Sequence, residues 1–297
     1  MTTLQAPSEL LTSLIQEPAA MNSTVNGLPG FKISHMSPGM EANRDYFGHP
    51  EWARNYFNAC HRDECFRSRW QAATGSWDDK IVVDIGCGPG NVYATLHGQP
   101  KLLIGVDVSD GALAMAQEVG YTPLLADAQA LPLKSGFADL VVVNATLHHC
   151  DDMSRVLSEA ARLVRPGGLL VTDHDPQRTA WRFRYLGLLL WRLRLPIYRF
   201  IGRGGHATAA EQSCALATEV HHKIGDGVTP DFFHQILEPL GFKVSVFPHN
   251  HDLGADVLAG NYGRAQTKYR FAQWVSGINP NTPEAALTLM CVATRQA

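Results

Sequence analysis

No lysine or arginine occurs in the first thirty residues of this 297-residue chain; the first basic side chain is Lys32. A secretory signal needs a basic end and an apolar core, and a mitochondrial transit peptide needs arginines, so neither is expected. A run of roughly 18 apolar residues is also missing, so no spanning helix is expected. Charge is sparse, at 18% of residues, and nearly balanced at a net -3. No global field draws in nucleic acid, and none is expected as a partner. The six cysteines are scattered, with neither C-x-x-C nor H-E-x-x-H spacing. Reduced thiols in a cytoplasmic protein, with no metal, are the simplest expectation. Cys60-His61 with Cys65, and His148-His149-Cys150, nevertheless bring donor residue types together.

What is present is ordinary globular composition, 45% hydrophobic, without repeats or low-complexity tracts. Residues 8–16 read as an amphipathic helix, 21–40 as a Gly- and Pro-rich loop, and 51–70 as a second helix. From Lys80 the rhythm changes. Short apolar strands at 81–83, 102–106, 123–125, 140–143 and 169–171 alternate with helical stretches at 111–119 and 153–164. Apolar runs of this kind belong to a parallel sheet buried on both faces. A helix opening at Thr229-Pro230 and ending at Gly241, then strands at 242–247 and 287–294, complete the pattern.

The chemistry centres on one turn. Asp84-Ile85-Gly86-Cys87-Gly88-Pro89-Gly90 follows the first strand and opens onto Asn91-Val92-Tyr93-Ala94. Its glycines let a ligand approach the backbone, and the free N–H groups beyond attract an anionic group such as a carboxylate. Asp84 is placed to hold a cationic amine. Asp107 ends the next strand, 21 positions after Gly86, the distance at which a carboxylate accepts ribose hydroxyls. Asp127 and Ala128 end the third strand, where a side chain meets an adenine amine. Asn91 stands where G-x-G-x-x-G requires glycine, which disfavours a dinucleotide.

This ordered set resembles the class I S-adenosylmethionine-dependent methyltransferases, in the branch related to ubiquinone and menaquinone C-methyltransferases. D-x-G-x-G-x-G is matched in full, and Asp107 and Asp127-Ala128 fall on the family's ribose and adenine positions. Phe137-Ala138-Asp139-Leu140-Val141, Asn144-Ala145-Thr146-Leu147-His148-His149 and Leu163-Val164-Arg165-Pro166-Gly167-Gly168 match further segments. The resemblance covers 81–175 well and 229–246 more weakly. It implies a doubly wound α/β fold, Rossmann-like, with a mixed sheet of about seven strands. It implies S-adenosylmethionine as cofactor, held by Asp84, Gly86, Cys87, Gly88, Gly90, Asp107, Val108, Asp127, Ala128, Asn144 and Ala145. Ala145-Thr146 replaces the prolines of the [ND]-P-P-[YF] loop, which argues against an adenine or glutamine acceptor.

Candidate bases lie past the fourth and fifth strands: His149, and the cluster Asp173, His174 and Asp175. His148 reads as a cleft-shaping residue, and His221, His222 and His234 as lid residues. Residues 177–203 hold seven of the chain's 25 basic residues and no acid, leaving 18 basic against 28 acidic elsewhere. Aromatic and leucine side chains interleave with those arginines, and Pro196 is expected to break the helix. A lid over the cleft is the first reading of this segment and a membrane-surface helix the second. The expected organisation is an amino-terminal helical extension (1–75), the cofactor-binding core (76–176), a helical lid (177–228) and the completion of the sheet (229–297). The expected function is methylation of a small apolar or aromatic acceptor. Its rivals are a non-catalytic cofactor-binding module and an NAD(P) oxidoreductase.

Overall fold

The structure, a computed structural model, describes residues 6–24, 26–60, 63–202, 206 and 208–297, without the side chains of residues 59 and 60. The Cys60-His61 pair and Arg203 therefore lie outside what is described.

The strands are β1 (Asn22–Ser23), β2 (Pro29–Gly30), β3 (Ile81–Ile85), β4 (Leu102–Asp107), β5 (Thr122–Leu125), β6 (Ala138–Asn144), β7 (Val164–Pro176), β8 (Phe242–His249) and β9 (Thr288–Arg295). They form one sheet in the order β1-β2-β5-β4-β3-β6-β7-β9-β8. From β2 to β7 the pairing is parallel, while β9 runs antiparallel between β7 and β8. Seven full strands match the doubly wound expectation, and the two-residue β1 and β2 are additions. The strand order turns at β3 and β6, and ligands gather at such a switch point.

The helices are α1 (Pro7–Leu14), α2 (Pro38–Gly48), α3 (Pro50–Cys60), α4 (Glu64–Thr74), α5 (Asn91–Leu96), α6 (Asp110–Val119), α7 (Met153–Leu163), α8 (Tyr185–Phe200), α9 (Ala209–Thr218), α10 (Pro230–Leu237) and α11 (Thr267–Trp274). Alternate strand residues point to opposite faces of the sheet. Val83, Ile85, Ile104, Val106, Val141 and Val143 pack with Leu11 of α1, Leu157 of α7 and Phe233 of α10. Val82, Leu103, Leu140 and Val142 pack on the other face with Trp70, Val92 and Leu113. Both faces are covered, as continuous apolar strands require.

Three local expectations change. The supposed loop at 21–40 ends in α2, capped by the Ser37 side chain, which accepts from Met40 N–H, with Pro38 at the first helical position. The helix expected at 51–70 is two, because Asp63 accepts from the N–H groups of Cys65 and Phe66 and starts α4 anew. Pro196 does not end its helix. α8 runs through it to Phe200, carried by packing of Trp181, Phe183, Leu188 and Trp191 against Ala272 and Tyr269 of α11. Thus α8 and α11 build one small apolar cluster above the carboxyl edge of the sheet, apart from the two sheet cores. No helix among the described residues is long and apolar enough to cross a membrane.

Candidate active site

The turn after β3 adopts the conformation its glycines permit. Gly86, Gly88 and Gly90 have φ of 67°, 52° and 93°. A Cβ on Gly86 would overlap Thr146, so glycine there is demanded by space as well as by backbone angle. The turn is bound to the neighbouring strand: Gly86 and Cys87 N–H donate to Val106 O. Gly88 N–H donates to Asp107 Oδ2 (2.9 Å) and Ser109 N–H to Asp107 Oδ1 (2.9 Å). Desolvation raises the Asp107 carboxyl above the usual range, and these backbone N–H groups work against that rise.

A cavity opens over this turn. Gly86, Cys87, Gly88, Asp107, Val108, Asp127, Ala128, Asn144 and Ala145 all line it, as expected from sequence. Asp84 and Gly90 do not. Asp84 lies one layer beneath, 1% exposed; its Oδ2 accepts from Tyr121 O–H (2.7 Å) and its Oδ1 is buried without a partner. Burial pushes its carboxyl up to about 7, against which the Tyr121 hydrogen bond works. Gly90 gives room to the Tyr121 ring. Asn91 lines the cavity and its Oδ1 is also buried and unpartnered. Two orphaned oxygens beneath and beside the turn fit a ligand with an amine, while the Asp107 carboxylate fits a vicinal diol. The methionine and ribose parts of S-adenosylmethionine have these groups.

A second, wider cleft of about 2470 Å³ adjoins the first. Phe47, Tyr56, Asn91, Asn144, Ala145 and His149 line both. Its other walls, here called the cap, include Trp191 and Tyr198 of α8, Glu219 and His222 after α9, and Tyr269 of α11, together with His148 and His174 from the core. Asn43 of α2 ties cap to core, donating to the carbonyls of Gly39, His149 and Thr218.

The candidate bases separate by environment. His174 lines the cleft at φ 66°, a strained angle for a side-chain-bearing residue. Its Nδ1 lies 3.1 Å from Asn144 Oδ1 and 3.3 Å from Asp173 Oδ2. Asp173 is fully buried and lines neither cavity. It is paired with Arg69 Nε (3.0 Å) and His249 Nε2 (2.7 Å). Burial alone would raise its carboxyl; Arg69, His174 and His249 hold it well below the usual range. Asp173, expected among the catalytic groups, is thus sealed and ion-paired, with its Oδ2 3.3 Å from His174 Nδ1. His149 stands in the wall shared by both cavities, with Nδ1 2.7 Å from Thr218 O. Burial pushes His148 and His149 down to about 4, so both are neutral at pH 7.

Sequence reading missed Asn91, Tyr121, Arg69 and Glu219. Asn91 alone carried a signal, as the polar residue opening the helix after the turn. The others reach the site by tertiary packing from distant positions.

Comparison with known proteins bears on the family and the fold. Residues 83–172 match the family described as a methyltransferase domain. The chain is 35% identical over 109 residues to malonyl-acyl-carrier-protein O-methyltransferase of Enterobacter lignolyticus, covering 34% of this chain and 43% of that protein. It is 29% identical over 145 residues to ubiquinone biosynthesis O-methyltransferase of Pseudomonas putida, covering 46% and 62% respectively. It thus spans less than two thirds of either relative. The fold is shared with a possible histamine N-methyltransferase of Thermotoga maritima, with TM-score 0.50 and 20% identity over 86% of this chain and all of that one. Residues 83–172 thus match a methyltransferase domain, and in that region the chain is similar to S-adenosylmethionine-dependent methyltransferases.

Proposed function

We propose that this chain is an enzyme that methylates a small apolar or aromatic acceptor seated beneath the cap. One observation carries the reading: the cavity over the glycine turn and the aromatic cleft meet at a common wall of Phe47, Tyr56, Asn91, Asn144, Ala145 and His149. When bound, S-adenosylmethionine supplies an electrophilic methyl group on a positively charged sulfur. The protein's part is to align, to exclude water and to move a proton.

Alignment falls to the turn after β3, to Asp107, and to Asn144 and Ala145. Ala145 is fixed at φ 51°, its N–H donating to Asp173 O (2.8 Å). Water exclusion falls to α8, α9 and α11. Trp191 and Tyr198 of α8 and Tyr269 of α11 give the cleft aromatic surface for flat, apolar molecules. For an acceptor that must lose a proton, His174 is the base. Asn144 Oδ1 and Asp173 Oδ2 are both acceptors, so Nδ1 carries the proton and Nε2 presents its lone pair. Arg69 and His249 pin Asp173, and Asp173 pins the imidazole, the orienting role a third group plays behind a general base.

The outer face of α8 bears on how such an acceptor arrives. Leu186, Leu189, Leu193, Ile197 and Phe200 fall on one helical stripe and are exposed, Phe200 at 91%. The exposed Arg199 lies beside it, and the exposed Arg192, on the same side, reaches the rim of the cleft. A greasy stripe beside arginines is the design of a helix lying on an anionic membrane surface. The inner face of the same helix walls the cleft, so the lid reading and the membrane reading describe two sides of one element. A lipophilic acceptor passes from bilayer to cleft beneath it.

The test is methyl transfer from methyl-labelled S-adenosylmethionine to a panel of phenols, quinols and apolar acids, followed as S-adenosylhomocysteine release. With a hydroxyl acceptor, His174→Gln is expected to lower kcat by about 10²–10⁴-fold while cofactor affinity is unchanged. A loss under threefold removes His174 from proton transfer. No labelled product from any acceptor favours a binding module.

A further inference from the structure

We propose that His148, His149 and Glu219 form a binding site for one divalent transition-metal cation of the zinc type, open toward the acceptor cleft. One ligand atom from each residue lies within 4.8 Å of the others. His148 Nε2 and Glu219 Oε2 are 3.6 Å apart. With metal–ligand bonds near 2.0–2.1 Å, the edge of a tetrahedron is about 3.3 Å, so only a small inward movement completes the set.

The outer contacts of these residues are those of a metal site. His148 Nδ1 faces Asp175 Oδ1 at 2.8 Å, and His149 Nδ1 faces the Thr218 carbonyl at 2.7 Å. Each Nδ1 therefore donates, leaving the Nε2 lone pair free for coordination. Carboxylate and carbonyl partners behind ligating imidazoles are the usual way a protein fixes ring and tautomer at a metal. Glu219 is held in turn by His222 Nδ1 at 2.9 Å, and His222 Nε2 is buried without a partner. Packing for its own sake does not explain three neighbouring residues with lone pairs converging and a nearby nitrogen left unsatisfied.

Two imidazoles and one carboxylate suit zinc, iron or cobalt, and match poorly the all-oxygen preference of calcium and magnesium. Three protein ligands leave a further position open, as in sites where a metal binds substrate. All three residues line the acceptor cleft, so that position takes an oxygen of the acceptor. This last assignment rests on the methyltransferase reading; the cation site does not. Glu219 follows α9 in the cap and the histidines lie in the core, so the cation also fastens one to the other. Seventy residues separate the donors, beyond the reach of any local spacing motif.

The test uses the untagged full-length chain, stripped with a chelator and titrated with Co²⁺ alone. The expected result is one Co²⁺ per chain with a visible tetrahedral band, bleached by Zn²⁺. Glu219→Gln and His149→Ala are expected to weaken Co²⁺ binding by about 100-fold or more, while His234→Ala, on the solvent-facing side of α10, leaves it unchanged. No stoichiometric uptake by the wild-type chain overturns the proposal, whatever the variants do. So does unaltered binding by Glu219→Gln, or a near-ultraviolet cobalt–thiolate band, which places the metal on cysteine. Calorimetry of the metal-free chain with S-adenosylhomocysteine separates failure here from failure of the cofactor reading.

Discussion

Replacing Asp107 separates two tasks that one carboxylate performs. In the folded chain its two oxygens accept from Gly88 and Ser109 N–H, which fixes the glycine turn relative to β4. The same oxygens keep lone pairs for two ribose hydroxyls, since a carboxylate offers about four acceptor sites. Hydrogen bonds to a charged group contribute about 1.5–3 kcal/mol each. Two of them at the lower end amount to about 3 kcal/mol, or about 150-fold in Kd. Asp107→Ala is therefore expected to weaken S-adenosylhomocysteine binding by about 100-fold or more in calorimetry at pH 7.5. The loss of two turn contacts costs about 1–3 kcal/mol of stability in addition, read as a drop of several degrees in Tm. Asp107→Asn keeps one acceptor oxygen and presents an N–H₂ group where the second backbone N–H points. Its affinity is expected between those of the wild type and Asp107→Ala. The decisive comparison is affinity measured well below the variant's own Tm. Binding by folded Asp107→Ala within threefold of wild type refutes the ribose assignment, and with it the orientation of the cofactor in the cavity.

Two further outcomes follow from charge. Burial holds the Asp84 carboxyl at about 7, so between its unfolded value near 4 and pH 7 the folded chain binds the extra proton, and stability falls as pH rises through that window. A protonated Asp84 has no charge to offer an amine, so S-adenosylhomocysteine affinity is expected to drop about tenfold from pH 8 to pH 6; Asp84→Asn should flatten that profile, and a variant with the wild-type slope removes Asp84 as its source. On α8, Leu189→Ser with Leu193→Ser and Ile197→Ser is expected to cut co-sedimentation with phosphatidylglycerol vesicles at least about tenfold while leaving cofactor binding intact. Equal sedimentation of variant and wild type returns α8 to the role of a lid alone.

The cofactor side of the molecule was legible in the sequence because its signals are local. A glycine turn, a carboxylate at the end of the next strand and an apolar run on either side are set by backbone geometry over a few residues. They appear in the structure at the expected positions: β3 runs into the turn, Asp107 ends β4, and all but Asp84 and Gly90 of the expected residues line one cavity. Asp84 was found, but not its depth. Nothing in the chain near Asp84 announces that Tyr121, 37 positions on, covers one of its oxygens.

The acceptor side was legible only in part, and the reason is the same one reversed. His174 was noticed as a residue type at a strand end, yet its orientation depends on Asp173, and that of Asp173 on Arg69 and His249, which lie 104 and 76 positions away. A carboxylate beside a histidine in sequence looks like a second catalytic group; only the structure shows that a buried guanidinium holds it ionised. A buried ion pair of this kind adds little net stability over an apolar pair, but removing one partner strands the other at a cost of about 3–5 kcal/mol. The network therefore resists piecemeal change, and a residue so locked can hold His174 at a strained φ through many turnovers. Glu219 follows the same logic. Sequence singled out its neighbours His221 and His222 but not Glu219 itself, which meets the two histidines after β6 only when α9 packs on α2. Functions assembled by a cap from distant residues are written in tertiary contacts, so the part of this protein that selects its acceptor is the part that sequence pattern describes least.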